Sequence, residues 1–182
     1  MSQTPIIISL SRDSEHNFSK PAAEQLTLLA GLGIEGDAHA GRTVQHRYDK
    51  WKNPDAPNLR QVHLIHAELF DELAEKGFSV GPGQLGENIT ARGIDLLGLS
   101  RGTRLRLGSE ALIEITGLRS PCIQINAFAE GLMAATLDKA PDGSLIRKSG
   151  VMAVVITSGD VRVGDGIELA SVPMQFEALG VV

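Results

Sequence analysis

The chain has 182 residues and a mass of 19.4 kDa, the size of one ordinary domain or at most two small ones. Hydrophobic residues at 42% and charged residues at 21% give a globular balance, which excludes disorder, collagen and coiled coil as the main architecture. Lys plus Arg is 17 and Asp plus Glu is 22, so the net charge of -5 has the wrong sign for a general binder of nucleic acid or anionic membrane.

No window approaches the ~18 apolar residues of a membrane span. The first residues, Met1-Ser2-Gln3-Thr4-Pro5, lack the basic and apolar regions of a secretory signal. Cys122 is the one cysteine. It allows neither an internal disulfide nor a zinc site of several thiolates, and a cytoplasmic location is expected. Twenty glycines and only 4% aromatics point to short strands joined by tight turns.

Residues 5–10 (PIIISL) are β-branched and predict a first strand. Residues 11–20 read as a polar loop, and 21–30 as either a helix turn or a strand. Four glycines between Gly31 and Gly41 exclude a regular helix and predict a shaped loop. Residues 43–60, with Pro54 and Pro57, read as an exposed excursion. Residues 61–65 alternate like a strand, and 67–76 predict a helix with Leu69, Phe70 and Leu73 on one face and Gly77 as its stop. Residues 81–86 form a second glycine turn. Residues 103–107 and 111–116 alternate about Gly108-Ser109-Glu110 and predict a hairpin. Residues 131–139 predict a short helix, 151–157 a buried strand, and 164–166 a turn before a last strand. The sum is a mainly β (β-rich α+β) single domain over 1–182. Short strands with apolar edges predict a closed or nearly closed β-barrel capped by short helices.

Cys122 follows Pro121 and lies three residues after Arg119. Such a thiol is either a packed core cysteine or, with the guanidinium favouring ionisation, a nucleophile or metal ligand. Gly36-Asp37-Ala38-His39 offers backbone N–H groups and an acid–base pair, or else a decorated turn. Gly86-Glu87-Asn88-Ile89-Thr90 places carboxylate, amide and hydroxyl together. These either read the edge of a heterocycle such as a pterin or purine, or satisfy nearby backbone. His63 and His66 do not form a recognised zinc signature, and no zinc is expected. No phosphate-binding P-loop, dinucleotide fingerprint or serine-hydrolase elbow is present.

In their order, these segments resemble the MOSC domain, named for the C-terminal part of molybdenum cofactor sulfurases. The matching pieces are Gly33-Ile34-Glu35-Gly36-Asp37-Ala38-His39-Ala40-Gly41, Gln61-Val62-His63-Leu64-Ile65, Gly86-Glu87-Asn88-Ile89-Thr90, Gly102-Thr103, Arg119-Ser120-Pro121-Cys122, Gly150-Val151 and Val163-Gly164-Asp165. They span residues 30–170 and look like a stand-alone MOSC protein without the sulfurases' aminotransferase-like domain. Pyridoxal phosphate therefore enters only as a family association.

The resemblance implies a β-rich barrel and a molybdenum cofactor (molybdopterin). It makes Cys122 the catalytic residue and the molybdenum ligand, or the carrier of a persulfide. Asn88 and Thr90 would lie beside the cofactor, Arg119 would favour a thiolate or a phosphate, and Gly36, Asp37 and His39 would shape the pocket mouth. Arg42, Arg47 and Arg60 are candidates for the cofactor phosphate by charge. Some relatives reduce N-hydroxylated bases and amidoximes. The expected function is thus reduction of an N-hydroxylated small-molecule substrate, with a redox partner protein and neither nucleic acid nor membrane as partner. The alternatives are a sulfur carrier and a non-catalytic ligand-binding barrel.

Overall fold

The computed structural model describes residues 4–182. In chain order its elements are β1 (Ile6–Ser11), β2 (Ala22–Ala23), β3 (Gln25–Leu29), β4 (Gly33–Ile34), α1 (Arg47–Lys52), β5 (Val62–His66), α2 (Glu68–Glu75) and β6 (Ile89–Arg92). There follow β7 (Arg104–Leu107), β8 (Ala111–Leu118), α3 (Ile123–Phe128), α4 (Leu132–Ala135), β9 (Leu137–Lys139), β10 (Leu145–Arg147), β11 (Val151–Thr157), β12 (Gly159–Arg162) and β13 (Ile167–Ser171). The protein is mainly β.

Eight strands form one sheet in the order β13-β7-β8-β11-β5-β6-β1-β2. The pair β5 and β6 is parallel, and α2 is its crossover, as a parallel connection requires. This explains why β5 is apolar on both faces. Val62 and Leu64 enter a large core with Ile7, Leu10, Leu105, Ile113 and Val151. Ile65, on the other face, joins a second cluster with Leu69, Phe70 and Leu73 of α2, Leu85, Ile125 and Leu132. His63 shares the parity of Ile65, so it points to the second side, where the site described below is built.

The expected closed barrel is corrected. The sheet curls until its ends touch at one bridge, Ile6 with Gly166. Ile7 N–H reaches Asp165 O at 2.9 Å and Ile167 N–H reaches Pro5 O at 2.9 Å. No ladder continues along β13, whose residues after Ile167 pair only with β7 and are exposed. The glycine turn at 164–166 brings the chain to β1 for a single step, so the sheet stays open.

Smaller differences are local. The expected helix over 131–139 stops at Ala135, and Leu137–Lys139 pairs with β10 instead. The undecided segment 21–30 holds strands β2 and β3, and α1 lies inside the expected exposed excursion.

Gly150 stands immediately before β11 at φ +96, and a Cβ there would collide with the Leu64 carbonyl and meet His63 Nε2 at 2.9 Å. Its own carbonyl accepts the Arg119 N–H at 3.0 Å. Gly150→Ala is expected to destabilise the fold by about 3 kcal/mol, read as a lower urea midpoint with unchanged slope.

Candidate functional site

A cleft of about 120 Å³ opens where five loop regions meet over β5 and β11. The 12–20 loop brings Asn17, Phe18 and Lys20, and the glycine loop brings His39. The 42–60 excursion brings Val44, Gln45, His46, Asn58 and Arg60. Gly86 and Asn88 come from the entry to β6, and Arg119, Ser120, Cys122 and Gln124 from the β8–α3 connection. His63 and Met152 form the floor. No carboxylate is among these lining residues, although the chain's net charge is -5.

Cys122 is half-buried, with one side against the second apolar cluster and the other on the cleft. Its Sγ lies 3.5 Å from Gln124 Oε1. Three residues back, the Arg119 guanidinium sits 5.8 Å over the Phe18 ring. Its Nη1 is sealed from solvent and has no hydrogen-bond partner. A buried donor in that state carries a desolvation cost that an acceptor in the cleft would offset. Burial lowers the Arg119 pKa from its ordinary value, while Cys122 and Glu87 act in the opposite sense.

Asp37 organises the floor from behind. Its Oδ2 accepts Lys20 Nζ at 2.7 Å and Asn88 Nδ2 at 2.9 Å, and its Oδ1 accepts the His39 backbone N–H at 2.9 Å and ring Nδ1 at 3.1 Å. Burial alone would raise this carboxyl. The bond from His39 and the Lys20 ammonium outweigh it and hold Asp37 below the ordinary carboxylate range. An ionised Asp37 fixes the proton of His39 on Nδ1 and leaves Nε2 as the ring's free nitrogen.

Asn88 is consumed by the fold. Its Nδ2 also donates to Ser11 O at 3.2 Å, and its Oδ1 accepts the His63 N–H at 3.1 Å. Of the two roles open to this amide, backbone satisfaction is the one seen. Thr90 does not reach the cleft, since its hydroxyl donates to Glu87 Oε1 at 3.1 Å. Glu87 is fully buried, its pKa is raised by burial, and its Oε2 has no partner. Gly36 lies outside the lining, at φ +76 beneath the Arg12 guanidinium. Of the three arginines considered for a phosphate, Arg60 lines the cleft and Arg42 and Arg47 do not.

The structure adds residues that sequence reading passed over. Lys20 lay in a segment read only as a polar loop, and its pairing with Asp37 crosses 17 positions without a motif. Phe18, Asn58 and Gln124 carried no spacing to mark them. In the sequence His63 is marked by its spacing from His66 and by the Gln61-Val62-His63-Leu64-Ile65 piece of the resemblance, neither of which gives it a role in the cleft. Its Nε2–H donates to Ser149 O at 2.8 Å. Burial first, then the Arg119 charge, push its pKa well below the ordinary 6.5.

A histidine with a depressed folded pKa contributes stability that is complete above about 6.5 and is lost as pH falls toward the folded value. Stability is therefore expected to fall below pH ~6.5 by up to about 1.4 kcal/mol per pH unit from His63, with a shallower slope in His63→Gln. Urea unfolding at a series of pH values checks this. Asp37→Ala leaves the Lys20 ammonium buried and unpaired, and is expected to cost about 3 kcal/mol. Adding Lys20→Met should recover part of that loss, so that the two costs are not additive in a double-mutant cycle.

Comparison with known proteins gives the family. The model of the MOSC domain matches residues 37–168. Protein YiiM of Escherichia coli (strain K12) is 31% identical over 144 residues, which is 79% of this chain and 59% of that protein's length. A crystal structure of the YUAD protein from Bacillus subtilis superposes with a TM-score of 0.74 at 25% identity, covering 91% of this chain and 94% of that one. YiiM from Geobacillus stearothermophilus shares the fold at a TM-score of 0.65 and 17% identity, covering 92% of this chain and 75% of that one. The domain match, spanning the glycine loop, the β6 entry and the Cys122 segment, establishes that this chain belongs to the MOSC domain family.

Proposed function

We propose that the cleft binds a molybdenum cofactor with Cys122 as the protein's ligand to the metal, and that an N-hydroxylated small molecule is reduced there. The observation that carries this reading is the pairing of the half-buried Cys122 with the sealed, unpartnered Nη1 of Arg119 in a cleft free of carboxylates.

The residues fit the group. Among the described residues no three His, Cys, Asp or Glu side chains gather into a metal cluster, so Cys122 would be a solitary ligand. That suits a metal arriving with ligands of its own, as pterin-bound molybdenum does, and a thiolate is a suitable donor for it. When bound, the cofactor supplies two-electron redox chemistry at its metal. Arg119 and Arg60 would balance its anionic charge. At about 120 Å³ the cleft is smaller than the ~300–1,000 Å³ of sites that enclose a whole ligand. It would therefore take the reacting end and leave the remainder of the cofactor at its mouth.

The chain's own residues do the rest. Phe18, Val44 and Met152 present apolar surface in the lining and limit water around the Cys122 sulfur. His39, held by Asp37 through Nδ1, can carry a proton on Nε2 for the departing oxygen of an N–OH group.

Expression in a cofactor-producing host, with molybdenum and pterin measured per chain, tests the reading. The wild type is expected to retain both near one equivalent, Cys122→Ser to lose most of the metal, and Arg119→Gln to retain less pterin. Equal metal in wild type and Cys122→Ser, or none in either, overturns it. A reducible adduct of about 32 Da on Cys122 in metal-free protein supports a sulfur carrier instead.

A further inference from the structure

We propose that the 42–60 segment, centred on α1, is a docking face for a small electron-carrier protein with an acidic surface. The inference deepens the reductive reading above and rests on it for the kind of partner.

Helix α1 has six residues and buries none of them. Tyr48 and Trp51, three positions apart, share one face with ring centroids 6.3 Å apart, and are 62% and 82% exposed. A helix this short is not stable by itself. It is fastened by the Arg60–Asp49 ion pair and by Val44 N–H to Ala56 O at 2.9 Å, not by a buried stripe. Its apolar face is thus turned outward, the reverse of ordinary amphipathic packing. Exposed Trp and Tyr on a fixed backbone are the residue types that anchor protein interfaces.

Charge specifies what would cover that face. The segment carries Arg42, Arg47, Lys50, Lys52 and Arg60 against Asp49 and Asp55, on a chain whose net charge is -5. The first four of these cations are exposed. A positive lobe on a negative molecule steers an acidic partner to this side and away from the others. Position specifies what the partner would do. Val44, Gln45, His46 and Arg60 of the same segment line the cleft, so a protein seated on α1 sits at its mouth. Ile123, next to Cys122 and 81% exposed, adds apolar surface there.

Redox stoichiometry requires such a partner. Cleaving the substrate's N–O bond takes two electrons and two protons: one proton forms an N–H bond in place of N–O, and the other joins the departing hydroxyl, which leaves as water. One thiol cannot supply the electron pair, because a dithiol is needed per disulfide formed. The electrons come instead from the reduced flavin of the carrier, which is oxidised in the same measure. A lipid surface is the weaker occupant: two rings on a six-residue helix give little area to insert, and the chain as a whole repels anionic headgroups.

Trp51 is the chain's one tryptophan, so fluorinated tryptophan places a single fluorine NMR signal on this face. Titrating the labelled full chain with an acidic flavodoxin is expected to shift that signal saturably. Raising salt from about 50 to about 300 mM should weaken binding about tenfold. Arg47→Gln combined with Lys52→Gln should weaken it to a similar degree while leaving Tm and molybdenum content unchanged. No shift at about 200 µM flavodoxin overturns the proposal. So does a shift indifferent to salt and to the double substitution, or one produced by phosphatidylserine vesicles and not by flavodoxin. A molybdenum-loaded chain without the shift removes the docking face alone, and a shifted chain that never holds molybdenum removes the cofactor reading alone.

Discussion

The buried Lys20–Asp37 ion pair is the constraint on which the site depends. Both side chains are almost wholly removed from water, at 3% and 0% exposure, so the pair is tolerable only when every remaining valence is met. The partners that meet it come from three separate stretches of chain. Asn88 joins from the entry to β6, His39 from the glycine loop, Asp13 through its backbone N–H at 3.4 Å, and Ser11 through the shared Asn88 amide. Asn88 then passes the constraint to β5 through the His63 N–H. A polar junction of this kind adds little net stability compared with an apolar core, but it leaves few ways to arrange the loops around it. The floor of the cleft is therefore fixed by electrostatics, while the sheet beneath is fixed by the alternation of Val62, Leu64, Ile113 and Val151.

The same junction explains how a negative molecule presents a positive cleft. Asp37 lies behind the lining and is fully engaged, so its charge is spent on Lys20 and His39. Glu87 lies deeper, and burial pushes it toward the neutral form. Neither carboxyl forms an ion pair with Arg119, whose Nη1 is left without an acceptor. Among the lining cations, Lys20 and Arg60 are paired with Asp37 and Asp49 from behind, and Arg119 is the one left without a carboxylate partner. Proximity in sequence would have suggested otherwise, because Asp37 and Glu87 each stand within two residues of a lining residue.

What was legible in the sequence follows from range. The β7–β8 hairpin, α2 and β11 are written in local periodicity and turn residues, and each lies where the pattern puts it. Cys122, Arg119, His39 and Asn88 line one cleft, whereas Thr90, Gly36 and Asp37 of the same segments do not. The Lys20–Asp37 pair was not legible because long-range ion pairs leave no periodic trace. Helix α3 was missed because Ile123, Ile125 and Phe128 favour strands locally, and its first turn is set by tertiary contact of Ile125 with the second core cluster. Closure of the barrel could not be read either, since it turns on how far β13 travels beside β1 after the glycine turn.

Cys122 stands at the boundary between two environments, one apolar and one open to the cleft. A thiol sealed in the second cluster would be inert, and one on open surface would be oxidised without selectivity. Here Ile125 and the α2 side chains back the second cluster behind it, Arg119 supplies a fixed positive charge, and the cleft leaves one approach. Ser120, Pro121 and the start of α3 hold it there with few degrees of freedom, because Ile125 N–H bonds the Cys122 carbonyl at 3.0 Å and Arg119 N–H bonds Gly150 O at 3.0 Å. The sulfur is accordingly held between β11 and α3 by backbone bonds on both sides. A sulfur so fixed, beside the Arg119 charge and away from any carboxylate of the lining, offers one defined approach, whereas a mobile thiol at the same depth would not.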